Sequence, residues 1–372
     1  MINNSTGAEL SLAKKLSQTS IQNKIRQLLA KKSDTKPWVV ELDPTTACNL
    51  ACHGCISANL LNQGGFKRDR IKELAKEFSK AGVKAAILIG GGEPMAHPEF
   101  GTIVDYFYEN DIHVGVTTNG MLIKKYEKSL ANHTKWVRVS IDAGSEEVFQ
   151  EYRPHISGKS QFKSIISQME SLSKIRKGKL GYSFVILTKH DKNGKYLDTN
   201  AKDISKAAKV AKDIGCNYFE VKPSFDTTHF LSETFKTERE IVKNELEKAK
   251  KLADKNFSVI SPVTISDAIE GNTTQKKEYK RCLVAGLRTV ISPSGAYVCP
   301  YHRGNANFKI GDPNNESFED IMSGEKRKKI MSELDPSKHC SFHCIRHETN
   351  LILEDIDKGK KIEETSDYDR FL

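Results

Sequence analysis

From residue 38 to about residue 255, short and almost continuously apolar runs alternate with longer stretches whose apolar positions recur every three or four residues. The runs WVVEL (38–42), AAILI (85–89), HVGVTT (113–118), WVRVSID (136–142), GYSFVIL (181–187) and NYFEVK (217–222) predict six strands. Between them, RIKELAKEFSKAG (70–82, with its Gly stop), FGTIVDYFYEN (100–110) and KKYEKSL (124–130) predict helices. So do the region from about Ser145 through SIISQMESLSKIR, then AKDISKAAKVAKDIG (201–215) and the charged run SETFKTEREIVKNELEKAKKLADK (232–255). Six β/α repeats of roughly 30 residues require parallel strands joined by right-handed crossovers. Six such units suit a partial, open (βα)6 TIM-like barrel better than a closed eight-unit one. On that α/β frame chemistry gathers at the C-terminal ends of the strands. The unusual loops CNLACHGC, GGGEPMAHP, TTNG and SIDAGS all leave those ends.

The texture changes near residue 281. TVISPSGAYVCP reads as a hairpin turned by Pro-Ser-Gly, SFEDIMSGEKRKKIMSEL as two short helices, and SKHCSFHC carries the last thiols. The expected organisation is a basic helical segment (1–36), a barrel (37–256), a linker (257–280), a small cysteine module (281–350) and a loosely held polar tail (351–372). The first segment sets seven Lys/Arg against only Glu9 and Asp34. Its apolar stripe (Leu12, Leu16, Ile21, Ile25, Leu28, Leu29) predicts an amphipathic helix with a solvated basic face. The alternative is a docking patch for an acidic partner or an anionic substrate.

At 372 residues, 38% hydrophobic and 28% charged, the composition is that of a globular chain and excludes disordered or fibrous classes. The net charge of +10 comes without an arginine-rich segment or aromatic–basic interleaving, so no nucleic-acid partner is expected. No run is long enough to cross a bilayer, and MINNSTGAELSLAKK lacks the apolar core of a secretory signal. A cytoplasmic location follows, and in a reducing compartment clustered thiols point to metal or chemistry rather than disulfides. The eight cysteines divide into a triplet (Cys48, Cys52, Cys55), a quartet (Cys282, Cys299, Cys340, Cys344) and the singleton Cys216.

Three thiolates at CxxxCxxC spacing on one loop can hold three corners of a cubane iron–sulfur cluster and leave one iron open. A structural zinc would need a fourth ligand, and His53, between two of the thiols, is poorly placed to supply it. One β/α unit later, Gly90, Gly91 and Gly92 let backbone approach a ligand closely, and Glu93 adds a carboxylate. After the fourth strand, Ser140 and Asp142 suit sugar hydroxyls.

With these loops in sequence, residues 38–225 resemble the radical S-adenosylmethionine (SAM) superfamily. The resemblance implies that Cys48, Cys52 and Cys55 hold a [4Fe–4S] cluster whose open iron binds the amino and carboxylate groups of SAM. It places Gly90–Glu93 at the methionyl amino group and Ser140 and Asp142 near the ribose or carboxylate, with Arg153 pairing with that carboxylate. An electron from the cluster, supplied by a donor such as flavodoxin or ferredoxin, would cleave SAM, and the 5′-deoxyadenosyl radical would take a substrate hydrogen. The usual pattern has an aromatic residue just before the third cysteine, where this chain has Gly54, so the local adenine contact is in doubt.

The quartet runs Cys–x16–Cys followed by Cys–x3–Cys, with Gly295 four residues before Cys299. Four thiolates would fully ligate a second cluster, although the spacing also suits a zinc ribbon. The arrangement resembles the SPASM and shortened twitch auxiliary modules, and four cysteines fit one auxiliary [4Fe–4S] cluster. In architecture the chain resembles the twitch dehydrogenase of aminoglycoside biosynthesis. Such a cluster could accept the substrate radical's electron, or simply staple a module with little core of its own. Candidate substrate groups are Lys222, Asp226 and His229 after the sixth strand and Tyr301, His302 and Arg303 near Cys299, with Lys222 or His302 as the base. Cys216, which a radical epimerase would use as hydrogen donor, precedes the sixth strand and is expected to be a buried structural thiol. A small sugar, polyol or aminoglycoside-like substrate is expected over a peptide, since thirty-six residues are too few for a winged-helix leader-binding domain.

Overall fold

The computed structural model describes residues 12–31, 36–193, 195–224, 238–262, 265, 277–340 and 344–371. Two of the substrate candidates, Asp226 and His229, lie outside them. The chain divides into two compact units. One contains residues up to Ala47, Asn62–Gly115 and the described residues from Lys277 onward; the other contains Cys48–Leu61 and the described residues from Val116 to Pro262 and at 265.

In the first unit β1 (Val39–Leu42) lies beside β2 (Ala85–Leu88), parallel and in register from Val39↔Ala85 to Leu42↔Leu88. Arg68–Lys80 covers this part of the sheet with Ile71, Leu74, Ala75 and Phe78 buried at helical spacing, and ends where Gly82 takes φ +79°. The expected boundary at residue 281 does not separate this region from the rest. β10 (Arg288–Ser292) pairs with β1 in parallel, and β11 (Gly295–Tyr297) and β12 (Lys309–Gly311) follow it antiparallel. The reason is apolar continuity: RTVIS is buried along its whole length and completes a flank that β1 would otherwise expose. Phe318 then packs edge-on against Phe78 at 4.7 Å, and its N–H donates to Glu77 Oε2 at 2.6 Å.

The N-terminal segment is broken into Leu12–Lys15 and Thr19–Lys31, because Gln18 between them bridges to Thr365. Leu16, Ile21, Ile25 and Leu28 are buried as the stripe predicted. The tail, expected to be loose, is anchored. His347–Asp357 is a helix, Gln18 Nε2 donates to Asp369 O at 2.8 Å, Trp38 Nε1 donates to Arg370 O at 3.0 Å, and Phe371 is buried. A polar sequence hid this, because its partners are backbone groups far away in the chain.

β3 (His113–Thr118) runs across the division between the units. In the second unit β4 (Trp136–Ser140), β5 (Lys179–Ile186) and β8 (Tyr218–Pro223) are parallel neighbours. A hairpin of β6 (Thr188–His190) and β7 (Tyr196–Thr199) stands between β5 and β8 in the chain. The supposed linker contains β9 (Ser258–Ile260), parallel to β8 and too short to show a period in sequence. Of the long charged helix, Arg239–Lys250 is described. Tyr182, Phe184 and Phe219 form the centre of this unit, with ring centroids 5.7 and 6.0 Å apart. No helix of the described residues is long and apolar enough to cross a membrane.

Truncating Phe371 tests the anchored tail. Phe371→Ala should destabilise the protein by about 2–3 kcal/mol, the cost of emptying a buried aromatic site, read as a lower midpoint in chemical denaturation; an unchanged midpoint would mean that the tail carries no load.

Candidate active site

In the second unit the cysteine loop is held as a short strand against residues 152–156. Leu50 bridges His155, Ala51 N–H donates to Pro154 O at 2.8 Å, His53 N–H to Tyr152 O at 2.8 Å, and Ile156 N–H to Asn49 O at 3.2 Å. This pairing brings Arg153 to the half-buried triplet. Burial pushes the Cys52 thiol up to about 11, with the charge of Arg153 opposing and Asp142, Cys48 and Cys55 adding to the rise. Burial works against the Arg153 charge in turn, but Cys52 and Asp142 hold its pKa above the ordinary value. Gly54 has φ +66°, where an L side chain is strained, and a Cβ there would lie 3.2 Å from Leu187. Backbone conformation thus accounts for the missing aromatic. His53, exposed at the surface, lies 3.2 Å from Thr188 O through Nε2 and meets Tyr152 edge-on at 5.9 Å.

Asp142 is buried at φ +57°, an unusual conformation for a non-glycine residue. Its Oδ1 accepts from Val185 N–H at 2.7 Å, its carbonyl accepts from Asn200 Nδ2 at 2.8 Å, and its Oδ2 pairs with Arg153. With both oxygens engaged it orients Arg153. Ser140 lies half-buried at the end of β4. Asn119 escaped sequence reasoning: in the TTNG loop, it donates through Nδ2 to Asn49 Oδ1 at 2.7 Å and so ties down the cysteine loop.

In the first unit Gly90–Glu93 follows β2. A Cβ on Gly92 would sit 2.4 Å from Ala47 O and one on Gly90 2.4 Å from Gly92 O, whereas one on Gly91 would meet nothing nearer than 3.6 Å. Glu93 N–H donates to Ala47 O at 2.8 Å. The glycine loop is therefore fitted to the backbone of the residue just before Cys48. Glu93 is buried, and its Oε1 accepts from Met95 N–H at 3.1 Å, capping the turn Pro94–Ala96.

The quartet also lies in the first unit. Burial pushes Cys282, Cys299 and Cys340 up to about 12. Each of the three thiols acts electrostatically on at least one other, and all three feel Cys344. The thiol of Cys216, in the second unit, is buried one residue before the asparagine that leads into β8 and is likewise pushed up to about 12 by burial. His302 is buried, with Nε2 3.8 Å from Cys340 Sγ and its ring stacked on Phe308 at 3.8 Å. Burial, and then His339, lower its pKa to about 4. Tyr301 Oη accepts from Ile345 N–H at 3.4 Å, and Arg303 Nε lies 2.5 Å from Asp43 Oδ2.

On β4, β5 and β8 the register Ser140↔Ser183↔Glu220 defines one polar face of the second unit's sheet. Lys222 shares that face, with Nζ 3.0 Å from Glu220 Oε2 and 3.4 Å from Ser183 Oγ. Arg138 lies 3.2 Å from Glu220 Oε2 and 3.2 Å from Thr117 Oγ1. Burial, then Arg138, lower the Lys222 pKa.

A model described as the radical SAM superfamily matches residues 42–204. Those residues form a radical SAM domain. Such a domain takes a [4Fe–4S] cluster and SAM as cofactors. The AdoMet-dependent heme synthase of Methanosarcina barkeri (strain Fusaro / DSM 804) is 26% identical over 189 residues, 50% of this chain and 50% of that protein. The mycofactocin maturase MftC of Mycolicibacterium smegmatis (strain ATCC 700084 / mc(2)155) is 31% identical over 140 residues, 37% of this chain and 34% of the maturase. The chain thus spans half or less of these curated relatives. SuiB of Streptococcus suis, solved bound to its precursor peptide SuiA, has TM-score 0.60 at 16% identity, covering 84% of this chain and 71% of that one. At that identity the likeness concerns the fold, an α/β partial barrel of the radical SAM kind.

The donor set of the triplet fits the cluster. Three thiols share one loop, Cys48 and Cys55 both act on Cys52, and the buried Arg153 beside them brings a positive charge suited to a ligand carboxylate. The described side chains form no closed cage of three or more His, Cys, Asp or Glu, so the fit rests on donor chemistry. Gly92→Ala should displace Ala47 and with it the first cysteine, cutting SAM affinity at least about tenfold and lowering iron content. Gly91→Ala should keep both, and equal loss in the two variants, measured by iron analysis and equilibrium dialysis, would count against the fitted loop.

Proposed function

We propose that the chain is a radical SAM enzyme that removes a hydrogen atom from a small, polar, hydroxyl-rich substrate of the sugar, polyol or aminoglycoside class and oxidises it. Cys48, Cys52 and Cys55 hold the first cluster, Gly90–Glu93 and Ser140 bind SAM, and Arg153, oriented by Asp142, pairs with the SAM carboxylate. The bound cluster and SAM supply a 5′-deoxyadenosyl radical when a one-electron donor such as flavodoxin or ferredoxin delivers an electron. Cys282, Cys299, Cys340 and Cys344 hold an auxiliary [4Fe–4S] cluster. Buried thiols that repel one another as thiolates need a compensating metal charge, and the quartet has that character. The observation that carries the reading is the buried Arg153, paired with Asp142 beside the cysteine triplet.

The polar face of β4, β5 and β8 supports a hydroxyl-bearing substrate, and Lys222 on it is the proposed base. A peptide substrate is the second reading, favoured by the maturase among the relatives. Cys216, buried at the start of β8, gives an epimerase reading no support.

After anaerobic reconstitution the protein should hold about eight irons per chain, four for each cubane, and release 5′-deoxyadenosine from SAM on reduction. Cys340→Ala with Cys344→Ala should drop to about four irons and keep SAM cleavage. Stoichiometric zinc, or no cleavage, would overturn the proposal. Lys222 must lose its proton to act as a base, and its pKa lies below the ordinary lysine value. The turnover rate should therefore rise with pH through a limb below about 10.4, lost as pH falls, and Lys222→Met should abolish that limb. A variant with an unchanged pH profile would remove Lys222 from the chemistry.

A further inference from the structure

The first unit contains a buried ionic cluster that no cofactor-binding role yet uses. Glu41 and Asp43 alternate along β1 and its end, so both carboxylates project from the same face of the strand. Glu41 Oε1 accepts hydrogen bonds from both Arg288 Nη2 and Arg346 Nη2. Asp43 pairs with Arg303. All five side chains are at most 9% exposed. Burial raises Asp43 to about 6, whereas Arg288 and Arg346 overcome burial and hold Glu41 down at about 2. Two guanidinium groups on one ionised carboxylate leave an uncompensated positive charge.

Backbone geometry puts one of these arginines beside the quartet, since the N–H of His347, the next residue after Arg346, donates to Cys344 O at 3.0 Å. Arg346 is two residues past Cys344, and after burial it is the strongest influence on the Cys299 thiol; it acts on Cys282 as well. A second cation, Lys277, is anchored by its Nζ donating to Cys340 O at 2.6 Å and acts on Cys344, Cys340 and Cys282. Asp335 is the acid that acts on Cys340. Arg346 is itself held by donating to the buried Glu41 Oε1.

We propose that Arg346 sets the reduction potential of the auxiliary cluster, with Glu41 holding the guanidinium in place and limiting its field. The inference rests on the reading that the four cysteines carry a [4Fe–4S] cluster. One-electron reduction adds one negative charge to a site that four thiolates already make anionic. A fixed, desolvated cation stabilises the reduced form more than the oxidised form and raises the potential. A carboxylate paired with the same cation works in the opposite sense. Arg346 is thus a tuning residue acting through charge, without touching substrate.

The two members of the pair must shift the potential in opposite directions, which a purely structural salt bridge would not do. The test uses the full-length chain with Cys48, Cys52 and Cys55 replaced by Ala, so that only the auxiliary cluster reports, reconstituted anaerobically and titrated potentiometrically with electron paramagnetic resonance detection. Arg346→Gln should favour the oxidised form about tenfold, a fall of about 59 mV for a one-electron couple. Glu41→Gln should move the potential upward, and Arg346→Lys, which keeps the charge, should stay near the parent. Shifts of the same sign for Arg346→Gln and Glu41→Gln, or no shift in variants whose iron content shows a loaded cluster, would overturn the proposal. Should Arg346→Gln fail to load iron, an unshifted or lowered potential in Glu41→Gln decides against it. A parent chain that binds no second cluster would instead overturn the ligand reading itself, and iron and sulfide content separates that outcome from the others.

Discussion

Two buried arginines sharing one carboxylate set the terms for the first unit. Glu41 sits in β1 between β2 and β10, where an unpaired charge would cost several kcal/mol. Arg288 comes from β10 and Arg346 from the segment after the last cysteine, so β1 is stable as a strand only when the C-terminal third of the chain has docked. Asp43 repeats the demand one step along the strand and is met by Arg303. The auxiliary cysteines lie around the same arginines. Folding of β1, assembly of the quartet and presentation of the loop leading to Cys48 are consequently one event rather than three.

Backbone, more than side chains, shapes the loop of Cys48, Cys52 and Cys55. Three main-chain hydrogen bonds to residues 152–156 hold the segment around Cys52, and Asn119 secures Asn49. Gly54 turns the chain between the second and third thiols with a positive φ. The strained Asp142 carries Arg153 to the same place. Strain at φ +57° costs of order 1–3 kcal/mol. It is tolerated because Val185, Asn200 and Arg153 all hold the residue where it is.

Strands read from the apolar runs returned with boundaries shifted by a residue or two, since burial on both faces leaves a nearly continuous hydrophobic signature. His113–Thr118 matches its run residue for residue. The three-residue β9 and the β6–β7 hairpin left no comparable trace, because so few residues cannot establish a period. The same limit made the tail look loose. Its attachments run through carbonyls and amides near residues 17–38, and backbone groups have no sequence signature.

Cysteine spacing, the triple glycine and the order of the loops were local properties, and they determined the cofactor chemistry of the domain before any fold was known. Thiol ligation and close backbone approach depend on residue type at fixed short separations, which a sequence records directly. The partners of those groups were decided only in three dimensions. Arg153 meets Asp142 across 11 positions, and Arg346 meets Glu41 across 305. A carboxylate in a strand and an arginine hundreds of residues away carry no mark of each other. Burial is what obliges them to pair, and burial is a property of the folded chain.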